Sequence, residues 1–178
     1  MVYDGSWLNG LRHGNGIITW ENGDVYDGEW VNGKYHGKGK YVWVDGKVYD
    51  GEWQNEKKHG RGKMVYPSGE IQYDGQWEND KYHGKGVYAW EDGKTYDGDW
   101  QNDRKHGKGK KTYPDGKVQY DGQWENDSFH GKGKYYWEDG RVYEGERQND
   151  KKHGKGKMIL SSGWVQYDGP WLNDKKKV

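Results

Sequence analysis

The residues of this chain best suited to chemistry are seven histidines, at positions 13, 36, 59, 83, 106, 130 and 153, each followed by Gly-x-Gly. Regularly spaced imidazoles suggest metal ligation, but every one occupies the same place in a repeated motif. Equivalent positions two strands apart in a sheet are separated by about 9.5 Å. Zinc ligands all sit about 2.0–2.3 Å from one ion. Neighbouring histidines of one sheet therefore share no metal, and neither a metal nor a cofactor is expected. A metal-linked dimer is the one ligation geometry left open, and a ring nitrogen bonding the turn backbone is the expected role. Nucleophilic catalysis has little material. There is no cysteine, and Ser6, Ser68, Ser128, Ser161 and Ser162 do not stand beside a repeated base. A catalytic group is singled out by its environment, whereas each candidate here copies its neighbours, so the chain reads as a non-enzyme. His-Gly-Lys-Gly-Lys has the composition of a phosphate loop but not the Gly-Lys-Ser/Thr at a helix start that such a loop requires.

Two further sets of side chains can bind rather than react. Lysines gather near the His-Gly motif, and Lys57, Lys58, Lys105, Lys151 and Lys152 define a candidate basic edge for anionic phospholipid headgroups. Acids dilute it, among them Glu56, Asp80, Asp103, Asp127 and Asp150. The 29 basic residues balance 29 acidic ones, which leaves no general attraction to nucleic acid. The second set is aromatic. Twelve Trp and 16 Tyr supply the apolar surface that aliphatic residues do not, at roughly 150–250 Å² per ring.

The positioning elements follow from an internal repeat. Tyr-Asp-Gly or Tyr-Glu-Gly begins at Tyr3, Tyr26, Tyr49, Tyr73, Tyr96, Tyr120, Tyr143 and Tyr167, so the step alternates between 23 and 24 residues after the first two. The units run 3–25, 26–48, 49–72, 73–95, 96–119, 120–142 and 143–166, with a half unit and C-terminal cap over 167–178. Within a unit, Tyr, Gly and Trp alternate with polar residues in Val25-Tyr26-Asp27-Gly28-Glu29-Trp30. Period two means strands. Asn32-Gly33 and Asp45-Gly46 supply turn residues that tolerate positive φ. The fold predicted is all-β: an elongated, single-layer, twisted antiparallel meander of about fifteen strands.

The pattern Tyr-x-Gly-x-Trp, then Asn-Gly or Asn-Asp, then His-Gly-x-Gly, recurs along nearly the whole chain and resembles the MORN (membrane occupation and recognition nexus) repeat. The resemblance implies tandem β-hairpins. It also implies roles in cytoskeletal, ciliary and membrane-junction assemblies, homo-oligomers and, for some members, phosphoinositide binding.

Finer expectations concern register. Pairing Trp30 with Gly39 sets Gly28 opposite Tyr41, Tyr26 opposite Trp43 and Glu29 against Lys40. Glu52–Lys63, Asp99–Lys110 and Glu146–Lys157 follow, and Gln123–Lys134 breaks the correspondence. The extra residue of the longer units must be absorbed by a turn or bulge, because inside a strand it would reverse every later side chain. Pro170 and Lys175–Lys177 read as an edge cap. The N-terminal strand lacks one, as a fragment of a longer array would.

Function is therefore expected from the aromatic face. A partner helix or extended peptide is placed in a groove of Trp30, Tyr41, Trp43, Trp53, Trp77, Tyr88, Trp90, Trp100, Trp124 and Trp137. No run of about 20 apolar residues marks a membrane helix, and the expected location is intracellular: cytoplasmic and associated with cytoskeleton or membrane.

Overall fold

A computed structural model describes residues 1–177. Among them there is no helix, and sixteen strands follow one another in sequence order in one antiparallel sheet. The first eight are β1 Val2–Leu8, β2 Leu11–Thr19, β3 Val25–Val31, β4 Lys34–Val42, β5 Val48–Gln54, β6 Lys57–Val65, β7 Ile71–Glu78 and β8 Lys81–Ala89. They continue as β9 Thr95–Gln101, β10 Arg104–Thr112, β11 Val118–Glu125, β12 Ser128–Tyr136, β13 Val142–Gln148, β14 Lys151–Ile159, β15 Val165–Leu172 and the two-residue β16 Lys175–Lys176. The chain divides into two compact units, Met1–Tyr88 and Ala89–Val178.

Each hairpin closes through a two-residue turn whose residues are both left-handed, the form that matches the twist of the strands it joins. Asn32 and Gly33 have φ of 50° and 81°. Asn79 and Asp80 have 50° and 70°, so an aspartate stands where glycine would be unstrained. The strain is offset by bonds to the preceding hairpin. The Asp80 amide donates to the Lys58 carbonyl at 3.0 Å, and the Lys58 amide donates to Asp80 Oδ1 at 2.9 Å. Asp127 holds Lys105 the same way, and Asp150 holds Phe129.

The observed register corrects the expected one by two residues. Tyr26 pairs with Tyr41, Asp27 with Lys40 and Gly28 with Gly39. A slip of two preserves the faces, so alternation alone does not distinguish the two pairings. The acid opposite Lys40, Lys63, Lys110 and Lys157 is accordingly Asp27, Asp50, Asp97 and Glu144. Glu29 instead accepts the Lys38 amide on Oε1 at 2.9 Å. Gln76 and Gln123 do the same for the amides of Lys85 and Lys132. Glutamine serves as well as glutamate because only an acceptor is needed, which removes the Gln123 exception.

Glycine pairs across each hairpin make room for tyrosine. Tyr26, fully buried, lies across Gly39, and its hydroxyl donates to the Glu29 carbonyl at 2.9 Å. The same arrangement recurs at Tyr49, Tyr73, Tyr96, Tyr120 and Tyr143. Burial pushes the phenols of Tyr26, Tyr49, Tyr96, Tyr120 and Tyr143 up, the last two to about 12.

The histidines open a second irregularity. Opposite Glu29, the stretch between Gly28 and Trp30 spans two residues fewer than its partner between Gly39 and Tyr35. The surplus is a bulge at His36-Gly37, with Gly37 at φ 58°. The extra residue of the longer units is absorbed as expected, by bulges at Gln72, Gln119 and Gln166. Pro170 lies opposite Lys155 in β15, and β16 pairs with Trp171 and Leu172.

Candidate functional site: a divided aromatic face

Rings on the aromatic face fall into two populations. The first is the Trp of Tyr-x-Gly-x-Trp in the strands after β1, whose own Trp7 is 61 % exposed. Trp30, Trp53, Trp77, Trp100 and Trp124 are between 1 % and 6 % exposed. Trp30 Nε1 donates to the Gly16 carbonyl at 2.9 Å, and Trp53, Trp77 and Trp124 bond Gly39, Gly62 and Gly109 likewise. Each of these four indoles therefore staples its hairpin to the preceding one. Edge-on contacts run Tyr26–Trp53 at 5.7 Å and Tyr49–Trp77 at 5.3 Å in the first unit, and Tyr96–Trp124 at 5.2 Å in the second. All five tryptophans were expected in a partner groove. They are sealed between hairpins, against backbone and tyrosine, so they form the core instead.

The second population comprises Tyr41, Trp43, Tyr88, Trp90 and Trp137, all half-buried. Trp43, Trp90 and Trp137 open their turns, each accepting at its carbonyl the amide of the glycine three residues on. Sequence reasoning missed further half-buried rings of this kind, Trp20, Tyr35, Tyr113, Phe129 and Tyr135. A signal was available: the hairpin Trp recurs in all units but one, whereas the turn position changes among Trp, Tyr and Leu160.

The lysine edge is also corrected. Lys58, Lys105 and Lys152 lie over the aromatic face. Lys58 Nζ is 5.7 Å from the Trp43 ring centre and 5.1 Å from that of Trp77. Lys105 is 5.8 Å from Trp90 and 5.5 Å from Trp124, and Lys152 is 5.9 Å from Trp137 and 4.7 Å from Trp171. Lys105 also pairs with Asp127 at 2.8 Å. Rings attract a cation on their faces, so these ammoniums are engaged within the fold. Lys57 and Lys151 are exposed. Arg147, where a Trp would stand, is buried with its guanidinium 5.1–5.3 Å from Phe129, Tyr135 and Tyr143, and Nη1 donates to the Asp150 carbonyl. Burial lowers its pKa.

Six of the seven histidines, His36 apart, do not bond the turn backbone through Nδ1. That atom is buried without a hydrogen-bond partner in His13, His59, His106 and His153. In His83 and His130 it lies 3.2 Å and 3.1 Å from Glu78 and Glu125. Among the described residues no group of three or more His, Asp or Glu is placed to hold a metal, and no helix is long and apolar enough to cross a membrane.

A hairpin-repeat sheet with buried Tyr-x-Gly-x-Trp staples defines the class of protein. The MORN repeat family matches residues 3–25, 26–48, 49–71, 73–95, 96–118, 120–140 and 143–165, and the chain belongs to that family. No curated protein matches the chain. Among solved structures, the wild-type TCP10 domain of Danio rerio CPAP is 15% identical, with 88% of this chain and 68% of that chain covered and a TM-score of 0.36. The same domain in complex with a peptide of Danio rerio STIL is 14% identical, with 96% and 100% covered and a TM-score of 0.19.

Proposed function

We propose that the chain is a non-enzymatic protein-interaction scaffold, and that its partner is an extended peptide or amphipathic helix laid on the half-buried rings of its aromatic face. One observation carries this reading. Where the motif tryptophans Trp30, Trp53, Trp77, Trp100 and Trp124 are sealed between hairpins, Trp43 in the first unit and Trp90 and Trp137 in the second remain partly open at matched positions 47 residues apart. Partly open Trp and Tyr combine a large apolar face with a polar edge, the chemistry enriched where proteins contact one another. Membership of the MORN family supports a cytoskeletal, ciliary or membrane-junction setting.

Affinity capture from cells tests the reading. The intact chain is compared with Trp43→Ser/Trp137→Ser and with Lys57→Gln/Lys151→Gln, all three shown folded by circular dichroism. Partners lost with the ring changes and kept with the lysine changes support the scaffold. Partners that follow the lysines instead overturn it.

A further inference from the structure

The turn aromatics are not equivalent in what covers them. Fifteen residues after Trp43, Trp90 and Trp137 stand Lys58, Lys105 and Lys152, whose ammoniums lie 5.7–5.9 Å from those three ring centres. Fifteen residues after Trp20 stands Tyr35. At this turn the chain supplies rings and no lysine. Trp20 and Tyr41 stack at 5.4 Å with an interplanar angle of 28°, and Tyr35 meets Trp20 edge-on at 6.1 Å. A cavity lined by Met1, Trp20, Glu21, Asn22, Asp24, Tyr35 and Tyr41 opens beside them. On its rim the Met1 ammonium bonds Glu21 at 3.2 Å.

The same turn carries a charge reversal. Asp24 occupies the position held by Lys47, Lys94, Lys117 and Arg141 in other units, and it is only 9 % exposed. Its carboxylate accepts the Val44 amide at 2.8 Å, Asn22 Nδ2 at 2.9 Å and the Tyr41 hydroxyl at 3.0 Å. All three donors are neutral. The Val44 amide above all, then Asn22, holds this carboxyl below the usual carboxylate range. A sequestered carboxylate whose contacts are neutral, sharing a cavity lining with three electron-rich rings, is the complement of an organic cation.

We propose that the box of Trp20, Tyr35, Tyr41 and Asp24 binds an alkylammonium group, the side chain of a lysine on the partner segment. The chain's own lysines at the Trp43, Trp90 and Trp137 turns display the chemistry, with the ammonium against a turn tryptophan and its neighbours. The source of that lysine rests on the scaffold reading, whereas the chemistry of the box does not.

The test is a titration of the full chain followed by amide and indole resonances. The probe is Nα-acetyl-lysine N-methylamide, exchanged against sodium chloride at constant ionic strength. Saturable shifts are expected at the Val44 amide and the Trp20 indole, and none with the Nε-acetylated probe. Asp24→Asn weakens the lysine probe by about fivefold or more. Asp24→Lys abolishes binding while the chain stays folded, since lysine stands at this turn position in three other units. Absent shifts, equal shifts with the acetylated probe, or unchanged binding by Asp24→Asn would each overturn the proposal. The scaffold reading fails separately: if the lysine probe binds and the ring variants still capture every partner, the box stands and the scaffold surface falls.

Discussion

Replacing Gly62 by alanine isolates the contact on which the sheet depends. The backbone there is extended and accepts any residue, so the cost arises from space alone. An added Cβ would lie 2.6 Å or less from Oη, Cζ and Cε2 of Tyr49, and that ring is fully buried. Forcing a methyl into a packed site costs about 1–3 kcal/mol. Displacing the ring also breaks the hydrogen bond from its hydroxyl to the Glu52 carbonyl, about 0.5–1.5 kcal/mol more. Gly62→Ala should therefore destabilise the chain by about 2–4 kcal/mol. Urea unfolding followed by tryptophan fluorescence reads this as a lower midpoint. Tyr49→Leu is costly by itself, but it removes the atoms that the new methyl meets. In that background Gly62→Ala should cost about 1 kcal/mol or less, a coupling that neighbours in contact display. Gly51→Ala serves as the control. Its Cβ would meet the Gly62 Cα and, at 2.7 Å, both the Arg61 carbonyl and Tyr49 Oη, so the loss of Tyr49 should rescue it only in part, the two backbone contacts remaining. Additive costs for Gly62→Ala and Tyr49→Leu would refute the reasoning.

Other outcomes follow from the same structure. Asp80→Ala should cost more than Asp80→Gly, by about 1 kcal/mol in thermal or urea unfolding, because both lose the bond to the Lys58 amide but only glycine relieves the positive φ. Asp24, held below the usual carboxylate range, contributes stability that is present above its unfolded value and lost as pH falls through its lower folded value. The stability gap between the native chain and Asp24→Asn should thus be constant near neutrality and narrow below about pH 4. Lys58→Gln and Lys105→Gln should lower the unfolding midpoint while leaving sedimentation with anionic vesicles unchanged, since those ammoniums are engaged with rings; a salt-sensitive loss of sedimentation would restore a lipid edge.

Periodicity made the hairpins, the faces and the compensating bulges at Gln72, Gln119 and Gln166 legible, because an uncompensated residue would have reversed every later ring. Register was less accessible. Gly28 opposite Gly39 and Gly28 opposite Tyr41 put the same side chains on the same faces, and the choice rests on a tyrosine crossing its neighbour strand. The division of the rings was hidden for a related reason. Trp30 and Trp43 share a face, but one reaches back to a glycine carbonyl while the other sits at a turn. Lys58 read as an edge charge because basic residues surround it in sequence. Its placement shows only in comparison with Tyr35 and Tyr82, which hold the same position in adjacent units.

The division of the aromatic face into sealed staples and open turn rings is tested most directly by hydrogen exchange at the indoles. The Nε1–H groups of Trp30, Trp53, Trp77 and Trp124, buried and bonded to glycine carbonyls, should exchange about 100-fold or more slowly than those of Trp20, Trp43 and Trp137, as groups that need a structural opening do. Exchange at one common rate would contradict the account, because the tryptophans would then be equally exposed and no separate surface would remain for a partner.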